Sequence, residues 1–277
     1  MNNTVSRLLL FFLAIPLLIL LILYLPQYNH LGVIIILIVV GILCGFEMRA
    51  MLSGLAKPLP RWVAIIPGAT PLLAWAINMG FVPQLTASVF FAAAIIWAFS
   101  DAVFVREAEF SQGISRIGTR LMIVIYPGWL IWWVSRLTWY ENAHIVIIIF
   151  MLTVYLNDSH AWFFGMLFGK HRNIVNVSPN KSIEGFLGGT LTSVAVILIS
   201  SHFFPEILPH PLWQLILFGL VAAFTTTMGD LIESALKRSA GVKDSGHIIP
   251  GRGGMLDSFD SVLFTAPVFI LFLQMAA

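Results

Sequence analysis

The feature that most limits how this chain can fold is a succession of apolar stretches, about nine in number, each near the length a helix needs to cross a bilayer. A hydrocarbon layer about 30 Å thick takes roughly 20 helical residues, because every backbone N–H and C=O must be bonded within the segment. The stretches fall at approximately 8–25, 31–46, 62–80, 84–99, 120–137, 144–169, 186–204, 212–228 and 260–276, the sixth carrying polar residues in its second half. Of 277 residues, 59% are apolar and only 10% charged, whereas soluble chains carry charge on about a quarter. An ordinary soluble fold is excluded, and no stretch is long enough for a separate soluble domain. The expected fold is all-α: a polytopic membrane protein with about nine transmembrane helices. The first stretch is too long for a secretory leader and lacks a small-residue cleavage site after it, so it is read as retained. Cys44 stands alone, which removes an intramolecular disulfide and thiolate clusters for zinc or iron–sulfur.

Numbering the gaps alternately sorts the charges. Of fifteen Lys and Arg residues, only Arg136 falls near the second face, so the positive-inside rule places the amino terminus in the cytoplasm. Nine crossings then put the carboxyl terminus outside. The outer loops are nearly bare, holding Glu141 and Glu206, with 205–211 stiffened by Pro205, Pro209 and Pro211. Pro67, Pro71 and Pro127 read as helix bends satisfied by neighbours. Gly41-xxx-Gly45 and Gly165-xxx-Gly169 read as close helix contacts. Residues 1–140 are expected to form a scaffold that accommodates lipid. Residues 141–277 are expected to carry the chemistry, in cytoplasmic stretches 157–189 and 229–261.

Those two stretches hold most of the polar density of the carboxyl-terminal half. Asp230, Asp244, Asp257 and Asp260 are hard oxygen donors, suited to Mg²⁺ held by one or two carboxylates and completed by substrate phosphates. Lys170, Lys181, Lys237 and Lys243, with Arg172, Arg238 and Arg252, supply cations that pair with phosphate. Gly251, Gly253 and Gly254, around Arg252, let backbone N–H groups approach an anion. Asp158 follows a mostly apolar run and falls at membrane depth, where an ionisable group is a functional candidate. Acid, base and glycine together point to metal-assisted phosphoryl or nucleotidyl transfer at a membrane surface. A plainer reading stands beside this one: Asp230-xx-Glu233 and Asp257-xx-Asp260 have the spacing of acids that cap helix starts. Gly165-xxx-Gly169-Lys170 is one residue short of a P-loop and lacks the Ser or Thr that follows.

The ordered set Ser234-x-Leu-Lys237-Arg238, Lys243-Asp244-Ser-Gly246, Pro250-Gly-x-Gly-Gly254 and Asp257-x-x-Asp260 resembles the phosphatidate cytidylyltransferase (CDP-diacylglycerol synthase) family. Upstream, Asp158, Gly169-Lys170, Ser178-Pro-x-Lys181 and Glu184-Gly185 resemble that family's other block in the same order. The resemblance implies transfer of a cytidylyl group from CTP to phosphatidate, giving CDP-diacylglycerol and pyrophosphate. It implies Mg²⁺, with a monovalent cation such as K⁺ beside it, on Asp230 and Asp257, with Asp244 and Asp260 next. Asp230, Asp257, Asp260 and Lys237 are the expected catalytic residues. Asp158, Lys170, Lys181, Arg238, Lys243, Gly251, Arg252, Gly253 and Gly254 are the expected substrate contacts. The partners are CTP, phosphatidate and membrane lipid, with no nucleic acid; a homodimer in a bacterial inner membrane, its site facing the cytoplasm, is the expected setting.

Two positions depart from the family pattern: Arg252 stands where His is usual, and Ser258 where Arg is usual. The alternative is therefore a paralogue with altered or lost activity, acting on another lipid phosphate. A secondary transporter is the remaining alternative from another class; it would scatter polar residues at mid-membrane depth in two related halves, and no such halves are visible.

Overall fold

The computed structural model describes residues 15–24, 26–55, 58–100, 102–104, 107–249 and 253–275. Its α-helices are α1 (Ile15–Tyr24), α2 (Gln27–Leu52), α3 (Ile66–Asn78), α4 (Leu85–Ser100), α5 (Gly113–Ile123), α6 (Leu130–Ser135), α7 (Ala143–Phe168), α8 (Ile183–Phe203), α9 (Leu212–Ser239) and α10 (Leu256–Gln274). Short 3₁₀ turns cover Arg61–Ile65, Glu107–Gln112 and Arg136–Trp139, and a π-helical stretch covers Val124–Trp129. Among the described residues there is no strand, and one isolated antiparallel bridge joins Ile249 to Gly253.

The all-α expectation holds, while the number of crossings comes out coarser. Among the described residues six helical segments are long and apolar enough to cross a membrane: Gln27–Leu52, Phe110–Trp139, Ala143–Phe168, Ile183–Phe203, Leu212–Ser239 and Leu256–Gln274. Of the first predicted stretch, 8–25, the ten residues of α1 are described, too few for a full crossing, and the rest lies outside the described residues. The third is broken into a 3₁₀ turn and the 13-residue α3, with Pro67 in the first turn and Pro71 inside. The fourth, α4, has only 16 residues.

The chain divides into two compact units. The first comprises Met1–Trp139 and Ser239–Ser258. Within it α2 lies tightly along α3 and the turn before it. A Cβ at Gly41 would come 2.8 Å from the Pro67 carbonyl oxygen, and one at Gly45 would strike the Ala64 carbonyl. The Gly-xxx-Gly spacing thus marks close backbone approach, as expected. The proline bends are likewise tied to neighbours: the Thr70 hydroxyl lies 2.8 Å from the Gly128 carbonyl and 3.0 Å from that of Pro67. Tyr28, Asn29 and His30 have φ of 52°, 52° and 56°, a left-handed turn at the head of α2, so regular helix begins beyond them, close to the predicted start at 31.

The second unit comprises Tyr140–Arg238 and Phe259–Ala277. Here α7 and α8 pack through small residues: a Cβ at Gly185 would meet the Ala161 carbonyl at 2.5 Å, and one at Gly189 the Asn157 carbonyl at 2.9 Å. Asn157 Nδ2 donates to Ser193 Oγ at 2.9 Å within this contact, a buried polar tie between the two helices. The same principle seats α10 against α9. A Cβ at Gly229 would come 2.7 Å from the Asp260 carbonyl and 3.0 Å from Ser261 Cα, and the Thr226 and Thr265 hydroxyls bond at 3.0 Å.

Candidate active site

In the first unit the loop before α10 folds back on itself and onto α2. Ile249 and Gly253 exchange two backbone hydrogen bonds of 2.9 and 3.1 Å. Gly253 has φ +106°, a conformation that side chains rarely adopt, and a Cβ there would sit 2.6 Å from Asp257 Oδ2 and 3.5 Å from Asp244 Cβ. The structure therefore gathers Asp244, Gly253 and Asp257. Asp257 Oδ2 accepts from Ser245 N at 2.8 Å, Ser245 Oγ at 2.9 Å and Gly254 N at 2.7 Å. The bond back to Gly254, three residues earlier, is the back-bond of a capping box. The capping reading of Asp257 is thus realised in part: one carboxylate oxygen fixes the loop and the helix start. Lys243 and Asp244 are exposed. Gly251 and Arg252, expected substrate contacts, lie outside the described residues.

One acid at this place was absent from the sequence reading. Glu47, on α2 and 5% exposed, accepts from Met255 N at 2.8 Å, Leu256 N at 2.8 Å and Ser245 Oγ at 3.0 Å. Backbone N–H groups at a helix start have no partner within the helix and carry partial positive charge; Glu47 supplies the acceptor for two of them at the head of α10. The signal available beforehand was its place directly after an apolar stretch in a chain with only thirteen acids.

In the second unit a different cluster forms. Asp230 pairs with Lys181, each about one-third exposed. Glu233, fully buried, pairs with Lys237 at 2.5 Å one helical turn later. Asp260 is 7% exposed, its Oδ1 accepts from Ser261 N at 2.6 Å, and Asp230, Asp158 and Lys237 all act on it electrostatically. Four carboxylates, Asp158, Asp230, Glu233 and Asp260, all carried on apolar helices, form with Lys181 and Lys237 a concentrated charge site. The capping reading of Asp230-xx-Glu233 is overturned, because both residues lie inside the unbroken helix Leu212–Ser239 and not at a helix start.

The remaining basic residues are spread out. Lys170 and Arg238 are exposed. Arg172 donates from Nη2 to Gly165 O at 2.9 Å and from Nε to Gly169 O at 3.1 Å, so its guanidinium closes the carboxyl end of α7. His171 Nδ1 lies 2.6 Å from Glu184 Oε1. Ser258 is 8% exposed and its hydroxyl donates to Gly254 O at 3.3 Å.

The donor chemistry suits a hard divalent ion more than a soft one. Among the described residues no three His, Cys, Asp or Glu side chains converge as a metal cage. Mg²⁺ does not require one, since it takes one or two carboxylates and fills its shell with water and phosphate oxygen. The acids in each unit fit that demand.

These features define a polytopic helical membrane protein with acids and lysines concentrated near helix ends. The pattern of the cytidylyltransferase family matches residues 5–276, and the chain belongs to that family. Similar proteins named phosphatidate cytidylyltransferase include one from Staphylococcus epidermidis (strain RP62A), 44% identical over 135 residues, which are 48% of this chain and 51% of the relative. Another from Staphylococcus haemolyticus (strain JCSC1435) is 43% identical over 136 residues, 49% of this chain and 51% of the relative. A third from Staphylococcus aureus (strain COL) is 42% identical over 135 residues, 48% and 51% respectively. The chain spans about half the length of the curated relatives it matches.

Proposed function

We propose that this chain transfers the cytidylyl group of CTP to phosphatidate, releasing pyrophosphate and leaving CDP-diacylglycerol for phospholipid synthesis. The observation that carries this reading is the cluster of Asp158, Asp230 and Asp260 with Lys181 and Lys237. Mutually repelling carboxylates beside apolar helices cost stability unless a cation or substrate uses them. Family membership and the names of the relatives support the same reaction.

The chemistry needs no protein nucleophile. A phosphatidate oxygen attacks the α-phosphorus of CTP, the new P–O bond forms, and the bond to the bridging oxygen breaks with its electrons leaving on pyrophosphate. The protein's task is alignment and charge neutralisation. Lys181 and Lys237, now paired to Asp230 and Glu233, are the cations nearest to hand for the phosphates, with Lys170, Lys243 and Arg238 at more exposed positions. Asp230 and Asp260 in the second unit, and Asp244 and Asp257 in the first, are the acids that would hold divalent ions. Bound Mg²⁺ would neutralise triphosphate charge and favour departure of pyrophosphate.

Nine crossings with a cytoplasmic amino terminus remain our topological reading. At about 2.0 Å rise per 3₁₀ residue and 1.5 Å per α residue, the segment 61–78 measures about 30 Å, enough to cross; α4 at about 24 Å would need local thinning of the bilayer. Within the first unit Glu47, two residues before Arg49, meets the 245–256 loop, and within the second Lys181 meets Asp230. Each pairing joins a helix end and a loop within the stretches that the charge bias assigns to the cytoplasm. Bacterial relatives favour a bacterial inner membrane. A homodimer, and a monovalent cation such as K⁺ beside Mg²⁺, follow from the resemblance alone.

The test is direct: purified protein with Mg²⁺, labelled CTP and phosphatidate yields labelled CDP-lipid well above an Asp257→Ala background, and no product above that background refutes the proposal. A second reading rests on Ser258, whose buried hydroxyl occupies a place where the resembled family has Arg. A paralogue with weakened transfer, or one using another lipid phosphate, predicts that Ser258→Arg with Arg252→His raises turnover; unchanged turnover removes it.

A further inference from the structure

We infer that Glu47 is a positioning residue for Asp257, acting through the Ser245 hydroxyl; the inference rests on the reading of Asp257 as a metal-holding acid. The geometry runs as one chain. Glu47 Oε2 lies 3.0 Å from Ser245 Oγ, and Ser245 Oγ lies 2.9 Å from Asp257 Oδ2. The hydroxyl has one proton and stands between two carboxylates, with the Asp257 N–H donating to it at 3.3 Å. On either side glycines admit Glu47: a Cβ at Gly246 would come 2.5 Å from Oε1, and one at Gly254 2.5 Å from Oε2. No larger residue fits at either position without expelling the carboxylate.

Each acid completes what the other lacks. Glu47 accepts the N–H groups of Met255 and Leu256, and Asp257 accepts those of Gly254 and Ser245. Together they pin the loop at the head of α10 from both sides. With Oδ2 held by the N–H groups of Ser245 and Gly254 and sharing the one Ser245 hydroxyl proton with Glu47, the direction of Oδ1 is set as well, which is the property a metal-holding carboxylate needs. A glutamine cannot replace Glu47. Its amide offers one oxygen and one NH₂ group, while donors face both ends of the present carboxylate, so one end would set donor against donor.

The test compares wild type, Glu47→Gln, Ser245→Ala and Asp257→Asn as full-length protein in detergent, with Mn²⁺ binding read by electron paramagnetic resonance and CDP-lipid formation read over a Mg²⁺ series. Loss of an outer partner typically weakens a metal site 10- to 100-fold. Glu47→Gln and Ser245→Ala are each expected to weaken Mn²⁺ binding by at least about tenfold and to raise the Mg²⁺ needed for half-maximal turnover in parallel. KM for phosphatidate stays unchanged, and excess Mg²⁺ restores most of kcat. A merely structural role would lower yield and thermal stability without shifting the metal dependence. Wild-type Mn²⁺ affinity in both variants overturns the inference, as does a wild type that binds no Mn²⁺. Should Glu47→Gln fail to fold, Ser245→Ala, which removes only the shared hydroxyl, decides alone. Should wild type bind Mn²⁺ through this chain of bonds yet form no CDP-lipid, the proposed reaction falls and the positioning role stands.

Discussion

Removing Lys237 tests how the second unit tolerates its buried charges. Glu233 is fully buried and Lys237 only 12% exposed on its side chain, with 2.5 Å between them. Their order, Glu four residues before Lys on one helix, is the favourable one. Lys237→Met leaves the Glu233 carboxylate with its nearest cation gone, and breaking a buried pair from one side typically costs 3–5 kcal/mol. At about 1.4 kcal/mol per factor of ten, that is a shift of two to three and a half decades in the unfolding equilibrium. Replacing both, as Glu233→Met with Lys237→Met, removes the orphaned charge and keeps the volume, so stability should return to within about 1 kcal/mol of wild type. The assay is equilibrium unfolding in mixed detergent and SDS, followed by far-UV circular dichroism. Activity is expected to behave differently: if Lys237 contacts phosphate, neither the single nor the double variant regains turnover, and both fall about a hundredfold or more. A single variant as stable as wild type, or a double variant no better than the single, refutes the energetic argument; a double variant with normal turnover refutes the phosphate contact.

Other expectations are narrower. Gly254→Ala places a methyl against Ser245 Oγ and Glu47; it should lower the unfolding free energy by about 2–4 kcal/mol through overpacking and lost buried bonds, and a thermal shift under 2 °C would contradict the cradle described. Chelation with EDTA should abolish CDP-lipid formation and added Mg²⁺ should restore it; activity that persists in EDTA removes the divalent ion. Cys44 is buried, so single cysteines introduced at Lys243 and at Glu206 can be labelled against a quiet background. An impermeant thiol reagent added to intact cells should modify position 206 and not 243, and the reverse pattern inverts the proposed topology.

How much of this was legible beforehand differs by residue. Hydropathy located the long apolar helices, since bilayer chemistry leaves an isolated apolar segment little alternative to helix, but it passed over the more polar helical run 107–119 ahead of the fifth stretch. It could not separate a full crossing from the 16 residues of α4 or the proline-interrupted α3, because lengths near the threshold depend on where backbone geometry breaks. Small-residue spacing announced the contact of Gly41 and Gly45 with the next segment. Spacing misled at Asp230 and Glu233, where a capping pattern occurs inside a 28-residue helix; local pattern does not reveal whether a helix continues through it. Asp257 shows both readings in one side chain. Glu47 was missed because the apolar run was closed one residue before it, and because its donors are supplied by residues distant in sequence.

That distance bears on how the protein is made. Glu47 meets partners 198 to 209 positions later in the chain, so an inserting ribosome-bound chain must place α2 in the bilayer long before the loop that satisfies its acid has been synthesised. Until then the carboxylate has to find its partners in the wet interface. The loop ahead of α10, in turn, can settle only onto an amino-terminal helix already inserted, which makes its closure one of the last events in assembly.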